Sequence, residues 1–119
     1  MKALIADDTP INVKVAERLL SLENVETESV NNGKDCIEKI KSGSIYDVVF
    51  LDIMMPGMSG EETLQELKKI EGFNTTVIAM TAVTESGSKE HFLEVGFDYY
   101  LPKPISKESV HQALEEIKK

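Results

Sequence analysis

Short apolar runs alternate with amphipathic segments along the whole chain. Runs rich in β-branched and other apolar residues, bounded by turn residues, are typical of strands. The predicted strands are Ala3–Ala6, Glu26–Val30, Tyr46–Leu51, Thr75–Met80 and Asp98–Leu101. Between them, apolar residues recur every three or four positions, as on one face of a helix. The predicted helices are one that starts at Thr9-Pro10, then Lys34–Ser42, Glu61–Ile70, Glu85–Val95 and Ser106–Lys118.

Helix boundaries and buried faces follow from the same pattern. Thr9 suits the N-cap of the first helix, and Pro10 suits its first position, where a missing N–H has no cost. The residues expected to face the core are Ile11, Val15, Leu19 and Leu22 in the first helix, Ile37 and Ile40 in the second, Leu64 and Leu67 in the third, and Val110, Ala113, Leu114 and Ile117 in the last. Ile11 and Val15 are also candidates for a docking surface beside the strand ends.

The alternation of strands and helices predicts an α/β fold. Apolar strands that alternate with helices form a parallel sheet with helices on both faces, joined by right-handed crossovers. The chain has 119 residues, which corresponds to one domain. In such a sheet the C-terminal ends of all strands lie at one edge, where ligands bind. The residues at the strand ends are therefore the candidates for function.

Composition narrows the classes of partner. Lys and Arg number 13 and Asp and Glu 21, so the net charge of −8 argues against direct binding to nucleic acid or an anionic membrane. The single cysteine, Cys36, excludes a disulfide framework and fits a reducing, cytoplasmic location. Apolar runs fall short of the roughly 18 residues that span a bilayer. The acidic balance is compatible with binding a hard cation.

Three acids, a hydroxyl and an amine follow the predicted strands. They are Asp7 and Asp8 after the first strand, Asp52 after the third, Thr81 after the fourth and Lys103 after the fifth. Clustered carboxylates repel one another unless a cation or a proton joins them. Oxygen ligands alone favour Mg²⁺, with Mn²⁺ possible, and Mg²⁺ sites commonly include phosphate oxygens. A metal with a lysine is typical of phosphoryl transfer, and a carboxylate can be the nucleophile.

Four segments together resemble the receiver domain of two-component response regulators. They are Asp7-Asp8, the stretch from Leu51 to Gly60 around Asp52, Met80-Thr81-Ala82, and the stretch from Gly96 to Pro104. The resemblance covers essentially the whole chain, 1–119, in order and at the expected spacing. The motif around Asn12 and the Lys-Pro-Ile after the fifth strand resemble receivers of hybrid histidine kinases most.

The resemblance implies a flavodoxin-like (βα)5 fold with strand order 2-1-3-4-5. It implies that Asp52 is the phosphoacceptor and that Lys103 and Thr81 bind the phosphoryl group. Thr81 and Tyr100 would be the switch residues, and the face formed by helix four, strand five and helix five would change. The implied Mg²⁺ ligands are Asp7, Asp8, Asp52 and the backbone carbonyl of Met54. The Lys103–Pro104 peptide bond would be cis.

The function implied is that of a phosphoacceptor in two-component or phosphorelay signalling. The phosphoryl donor would be phosphohistidine on a histidine kinase or a phosphotransfer protein, and a downstream protein target is possible. The chain would catalyse its own phosphorylation and dephosphorylation without being a turnover enzyme. No output domain is expected in this chain, which is either a stand-alone protein or part of a hybrid kinase.

Other functions, and other roles for single residues, compete with this interpretation. A haloacid-dehalogenase-type phosphatase also uses an aspartyl nucleophile, but it carries a second Asp where this chain has Met54. A nucleotide-binding domain would need a glycine-rich loop after the first strand. A receiver that is never phosphorylated and acts only as an interaction module remains an alternative. Taken singly, Asp7 or Asp8 would be interpreted as a cap of the first helix, and Lys103 as a solvated lysine.

Overall fold

The computed structural model describes residues 1–82 and 89–117. The strands are β1 Lys2–Ala6, β2 Glu26–Val30, β3 Val48–Asp52, β4 Thr76–Ala82 and β5 Tyr99–Lys103. The helices are α1 Pro10–Leu22, α2 Gly33–Lys41, α3 Gly60–Lys68, α4 Lys89–Val95 and α5 Lys107–Ile117. The predicted start of the fourth helix at Glu85 and the predicted end of the last at Lys118 lie outside the described residues.

The strands form one parallel sheet in the order β2-β1-β3-β4-β5. This confirms the predicted α/β class and the 2-1-3-4-5 order that the resemblance implied. β3 lies at the centre, and each of its residues is buried. Because all strands run the same way, the ends of β1, β3, β4 and β5 meet at one edge of the sheet.

Strand residues alternate between two apolar layers. Leu4 and Leu51 point to one layer, whereas Ile5 and Phe50 point to the other. The first layer is completed by residues of the helices α2, α3 and α4, namely Cys36, Ile37, Leu64, Leu67 and Phe92. The second is completed by α1 and α5, through Ala16, Leu20, Val110, Ala113 and Leu114. The inward residues predicted for the third and last helices are confirmed.

The buried face predicted for α1 is wrong for three of its four residues, whereas Leu19 packs half-buried against the second layer as predicted. Ile11, Val15 and Leu22 are 68%, 42% and 55% exposed, whereas Ala16 and Leu20 are 2% and 1% exposed. Apolar residues occupy much of the circumference of this helix, so its periodicity fits more than one inward direction. The small side chain of Ala16 marks the side that faces the sheet, which leaves the larger aliphatic residues outside.

The functional strand ends extend further than the sequence predicted. β3 includes Asp52, which aligns with Met80 of β4. The β4–β5 ladder continues past Met80, with Thr81 opposite Pro102 and Ala82 opposite Lys103. Pro102 has no N–H to donate, but β5 is an edge strand, where proline is tolerated.

The opposite edge strand, β2, is polar. Glu28 is within 2.9 Å of Lys2 Nζ and 3.6 Å of Lys39 Nζ. Its carboxylate also accepts a hydrogen bond from the hydroxyl of Tyr46. Tyr46 was predicted to open the third strand but precedes β3, with its side chain turned to this ionic cluster.

Two truncations two residues apart test the orientation of α1. Leu20→Ala is expected to lower the free energy of unfolding by about 2–5 kcal/mol, because it opens a cavity in a packed layer. Leu22→Ala, at an exposed position of the same helix, is the control and is expected to cost less than about 1 kcal/mol. Urea denaturation measures both. Equal losses would contradict the orientation described here.

Candidate functional site

The ends of three strands place two acids and a lysine in direct contact. Lys103 Nζ donates to Asp52 Oδ1 at 2.9 Å and to Asp7 Oδ2 at 3.1 Å. Asp7 follows β1, Asp52 ends β3 and Lys103 ends β5. β4 lies between β3 and β5 in the sheet. The lysine therefore reaches across β4 to Asp52 and across both β4 and β3 to Asp7, and it joins two carboxylates that come from separate segments.

Asp7 has a structural role as well as its place in the site. Its Oδ1 accepts the backbone N–H of Thr9 at 2.9 Å, and its Oδ2 accepts from Lys103. Thr9 is the N-cap residue of α1, as predicted, but its own side chain makes no capping hydrogen bond. Asp7 thus orders the start of α1 and contributes a buried negative charge, so the capping interpretation and the site interpretation both apply.

The carboxylates are buried to different extents. Asp7 is 1% exposed and Asp52 is 4% exposed, whereas Asp8 is half-buried. Each of the three has a carboxylate oxygen within 4.8 Å of one from each of the others. This donor set consists of oxygen atoms, the ligand type that Mg²⁺ and Mn²⁺ prefer. The arrangement therefore fits a hard divalent cation.

Burial and neighbouring charges set the ionisation of Asp52 and Lys103. Burial raises the pKa of Asp52 from 3.8 to about 6, and the charges of Asp7 and Asp8 act in the same direction, whereas Lys103 opposes the rise. Burial lowers the pKa of Lys103, but its bonds to Asp52 and Asp7 outweigh that effect, and the pKa lies above 10.5. At neutral pH the lysine is charged, and Asp52 is mostly ionised but more basic than an ordinary aspartate.

The other predicted site residues occupy different surroundings. Thr81 is 1% exposed in β4, one residue beyond the position that aligns with Asp52. Tyr100 is half-buried in β5, and its ring stacks on Phe92 of α4 with centroids 5.5 Å apart. It packs in the layer beneath α4. Met54 lies after β3 with 61% of its surface exposed.

The peptide bond that follows Lys103 is cis, to Pro104. Pro104 and Ile105 line a cavity of about 330 Å³ with Asn12, Val15 and Met80. Asp7 and Lys103 complete its wall, so the cavity lies directly beside the carboxylate cluster. Val15 thus borders the site from α1.

The start of α3 is fixed by a capping box close to the end of β3. Ser59 and Glu62 form a capping box, in which each side chain accepts the other residue's backbone N–H at 3.1 and 3.0 Å. The pattern Ser-x-x-Glu is visible in the sequence and predicts this cap. Gly60 N donates to the carbonyl of Ile53 at 2.9 Å. α3 is therefore attached to the backbone that follows Asp52.

Among the helices in the described ranges, none is both long and apolar enough to cross a membrane.

Comparison with known proteins identifies relatives of the whole fold. The family model of the response regulator receiver domain matches residues 3–115. Hybrid signal transduction histidine kinase L of Dictyostelium discoideum is 32% identical over 97% of this chain and 7% of that protein. The transcriptional regulatory protein CpxR homolog of Haemophilus influenzae is 37% identical over 88% of this chain and 44% of that protein. The chain thus spans less than half the length of each of these relatives.

A solved structure of a receiver domain has the same fold as this chain. The receiver domain of a sensor histidine kinase from Pseudomonas aeruginosa superposes with a TM-score of 0.87 and 26% sequence identity. The match covers 99% of this chain and 98% of that one. That structure is described as having a magnesium ion coordinated in the active site cleft.

The raised pKa of Asp52 predicts a pH-dependent effect of Asp52→Asn. The folded chain holds the proton of Asp52 more tightly than the unfolded chain does, because the pKa is raised from 3.8 to about 6 on folding. The contribution of Asp52 to the free energy of unfolding of wild type is therefore highest below about pH 4 and falls as the pH rises through about 6. In metal-chelating buffer the variant is expected to be more stable than wild type by about 1–3 kcal/mol near pH 8 and equal to it near pH 4. Because Asp52→Asn also loses the charged hydrogen bond with Lys103, its gain in the free energy of unfolding is smaller than the pKa shift alone predicts.

Urea denaturation across this pH range measures the difference in free energy of unfolding. Glu94→Gln, at an exposed acid on α4, is the control and is expected to show no such trend. A difference between Asp52→Asn and wild type that does not change with pH would contradict the raised pKa.

Proposed function

This chain belongs to the response regulator receiver domain family, and on that premise we propose that Asp52 accepts a phosphoryl group from phosphohistidine. The chain is a signalling module of two-component and phosphorelay systems. One observation carries the proposal: a buried carboxylate at the end of the central strand, 2.9 Å from a lysine ammonium and grouped with two further carboxylates.

Asp52 is the nucleophile in this proposal. One carboxylate oxygen attacks phosphorus, so a P–O bond forms while the P–N bond to the donor histidine breaks. The imidazole nitrogen keeps the electron pair of the broken bond, and an acyl phosphate remains on Asp52. The raised pKa of Asp52 supports this role, because a more basic carboxylate is a stronger nucleophile.

The residues that would hold Mg²⁺, or Mn²⁺, are Asp7, Asp8, Asp52 and the backbone carbonyl of Met54. When bound, the ion offsets the negative charge of the phosphoryl oxygens. The magnesium described for the Pseudomonas aeruginosa receiver supports this assignment. The close approach of three carboxylates supports it independently, because their mutual repulsion favours a cation.

Lys103 changes partners in the proposed reaction. Its ammonium pairs with Asp52 and Asp7 and offsets part of their charge before phosphorylation, and it is within reach of a phosphoryl oxygen on Asp52 afterwards. Thr81 donates a hydrogen bond to the same group, and Tyr100 rotates inward. Because Tyr100 stacks on Phe92, its rotation alters the packing of α4 against β5. The face formed by α4, β5 and α5 therefore carries the signal to a downstream protein.

The partner that supplies phosphate is a histidine kinase or a histidine phosphotransfer protein. The similarity to hybrid kinases supports a place within, or opposite, such a kinase. These partners use phosphate that originates from ATP, so the proposal includes a cytoplasmic location. The domain promotes its own phosphorylation and dephosphorylation and turns over no separate substrate.

Phosphorylation by a small donor tests the assignment of Asp52. Incubation with acetyl phosphate and Mg²⁺ is expected to add one hydroxylamine-sensitive phosphoryl group, detected by intact-protein mass spectrometry. Asp52→Asn should take up none, because the nucleophilic oxygen is lost. Asp47→Asn, an exposed acid just before the opposite end of β3, is the matched control and should match wild type. Uptake by Asp52→Asn would remove the assignment, and no uptake by wild type would favour the interaction-module alternative.

Calorimetric titration with Mg²⁺ alone tests the metal ligands. Asp8→Asn is expected to weaken binding by about tenfold or more, because a carboxylate ligand is replaced by a neutral amide. Asp47→Asn removes the same formal charge at a distance and should leave the affinity within about twofold of wild type. Undiminished affinity in Asp8→Asn would exclude Asp8 as a ligand.

A further inference from the structure

α3 starts from a fixed position relative to Asp52. Its capping box orders the first turn, and Gly60 donates to the carbonyl of Ile53. A Cβ built on Gly60 would lie 2.8 Å from the Cα of Ile53 and still closer to the backbone of Asp52, so only glycine permits this approach. α3 therefore moves little relative to the end of β3.

Three polar residues form a row along α3 that faces α4. Glu61, Gln65 and Lys68 are spaced by four and three residues, which puts them on one side of a helix. Glu61 Oε1 accepts from His91 Nε2 at 3.1 Å, and Gln65 Nε2 donates to the carbonyl of Val95 at 3.3 Å.

The third member of the row reaches the end of α4. A Cβ built on Gly96 would come within 2.5 Å of Lys68 Nζ, so this ammonium lies directly against Gly96. A positive charge there also complements the C-terminal end of the helix dipole. The row thus contacts α4 through His91, through Val95 and beside Gly96.

A single apolar side chain anchors the inner side of α4. Phe92 is completely buried, stacks on Tyr100 and meets Phe97 edge-on at 6.0 Å. Tyr100 is the residue that the proposed function makes mobile. When it moves, the aromatic support beneath α4 changes, whereas the row on α3 stays in place because α3 is attached to the backbone of β3.

We propose that the row Glu61, Gln65 and Lys68 is a latch that holds α4 in the position of the unphosphorylated chain. This inference rests on the proposed function, since it assumes that phosphorylation at Asp52 moves α4. Contacts that are made in the unphosphorylated conformation and broken in the phosphorylated one favour the unphosphorylated conformation. The coupling between these contacts and the binding of a phosphoryl group at Asp52 is reciprocal. Weakening the latch therefore tightens the binding of a phosphoryl group at Asp52.

The test measures the affinity for beryllofluoride with Mg²⁺, a tetrahedral analogue of the phosphoryl group. Gln65→Ala and the double variant Glu61→Ala/Gln65→Ala remove contacts of the row. The matched control is Glu66→Ala, which removes an exposed acid on the same helix whose carboxylate contacts Lys69 at 2.8 Å. The double variant is expected to bind about threefold more tightly or better, and Glu66→Ala to match wild type.

Amide hydrogen exchange without ligand gives a second measurement. Residues 89–96 are expected to exchange faster in the row variants than in wild type and in Glu66→Ala, while exchange in β3 is unchanged. Unchanged exchange over 89–96 would overturn the latch.

The outcomes separate the latch from the proposed function. Binding by wild type with equal or weaker binding by the row variants would overturn the latch and leave Asp52 as the phosphoacceptor. Failure of wild type to bind the analogue in the presence of Mg²⁺ would overturn both.

Discussion

The ion pair between Lys103 and the buried acids Asp52 and Asp7 is the interaction on which the site depends. Two carboxylates that are almost fully buried cannot both be ionised at low cost without a counter-charge. Lys103 supplies that charge from β5, at 2.9 Å from Asp52 and 3.1 Å from Asp7. Burial raises the pKa of Asp52, and Lys103 offsets that effect and the charges of the neighbouring acids only in part.

The sequence predicted the fold and the proximity of Asp7, Asp52 and Lys103, for a physical reason. Buried parallel strands are short apolar runs, and the residues that end them share an edge whatever the details of packing. That argument located Asp7, Asp52 and Lys103 before any distance was known. The strand order came from the resemblance to receiver domains, because periodicity alone does not say which strands are neighbours.

The sequence did not predict features that depend on rotation or on contacts between helices. The inward side of α1 was misjudged because Ile11 and Val15 are more apolar than Ala16, although the small residue is the one that faces the sheet. The dual use of Asp7 as cap and as ion-pair partner could not be read from spacing. The row from α3 to α4 joins residues about 30 positions apart whose side chains are polar and common on surfaces.

The two edge strands affect how this domain can associate with other sheets of the same kind. An open parallel sheet offers unpaired backbone groups at both sides, and a second sheet of the same kind could extend it. Pro102 removes one donor from β5, and β2 surrounds Glu28 with charged side chains. These residues oppose sheet-to-sheet aggregation. Contacts with another copy of this fold are therefore expected through helices and loops, and not through the edges of the sheet.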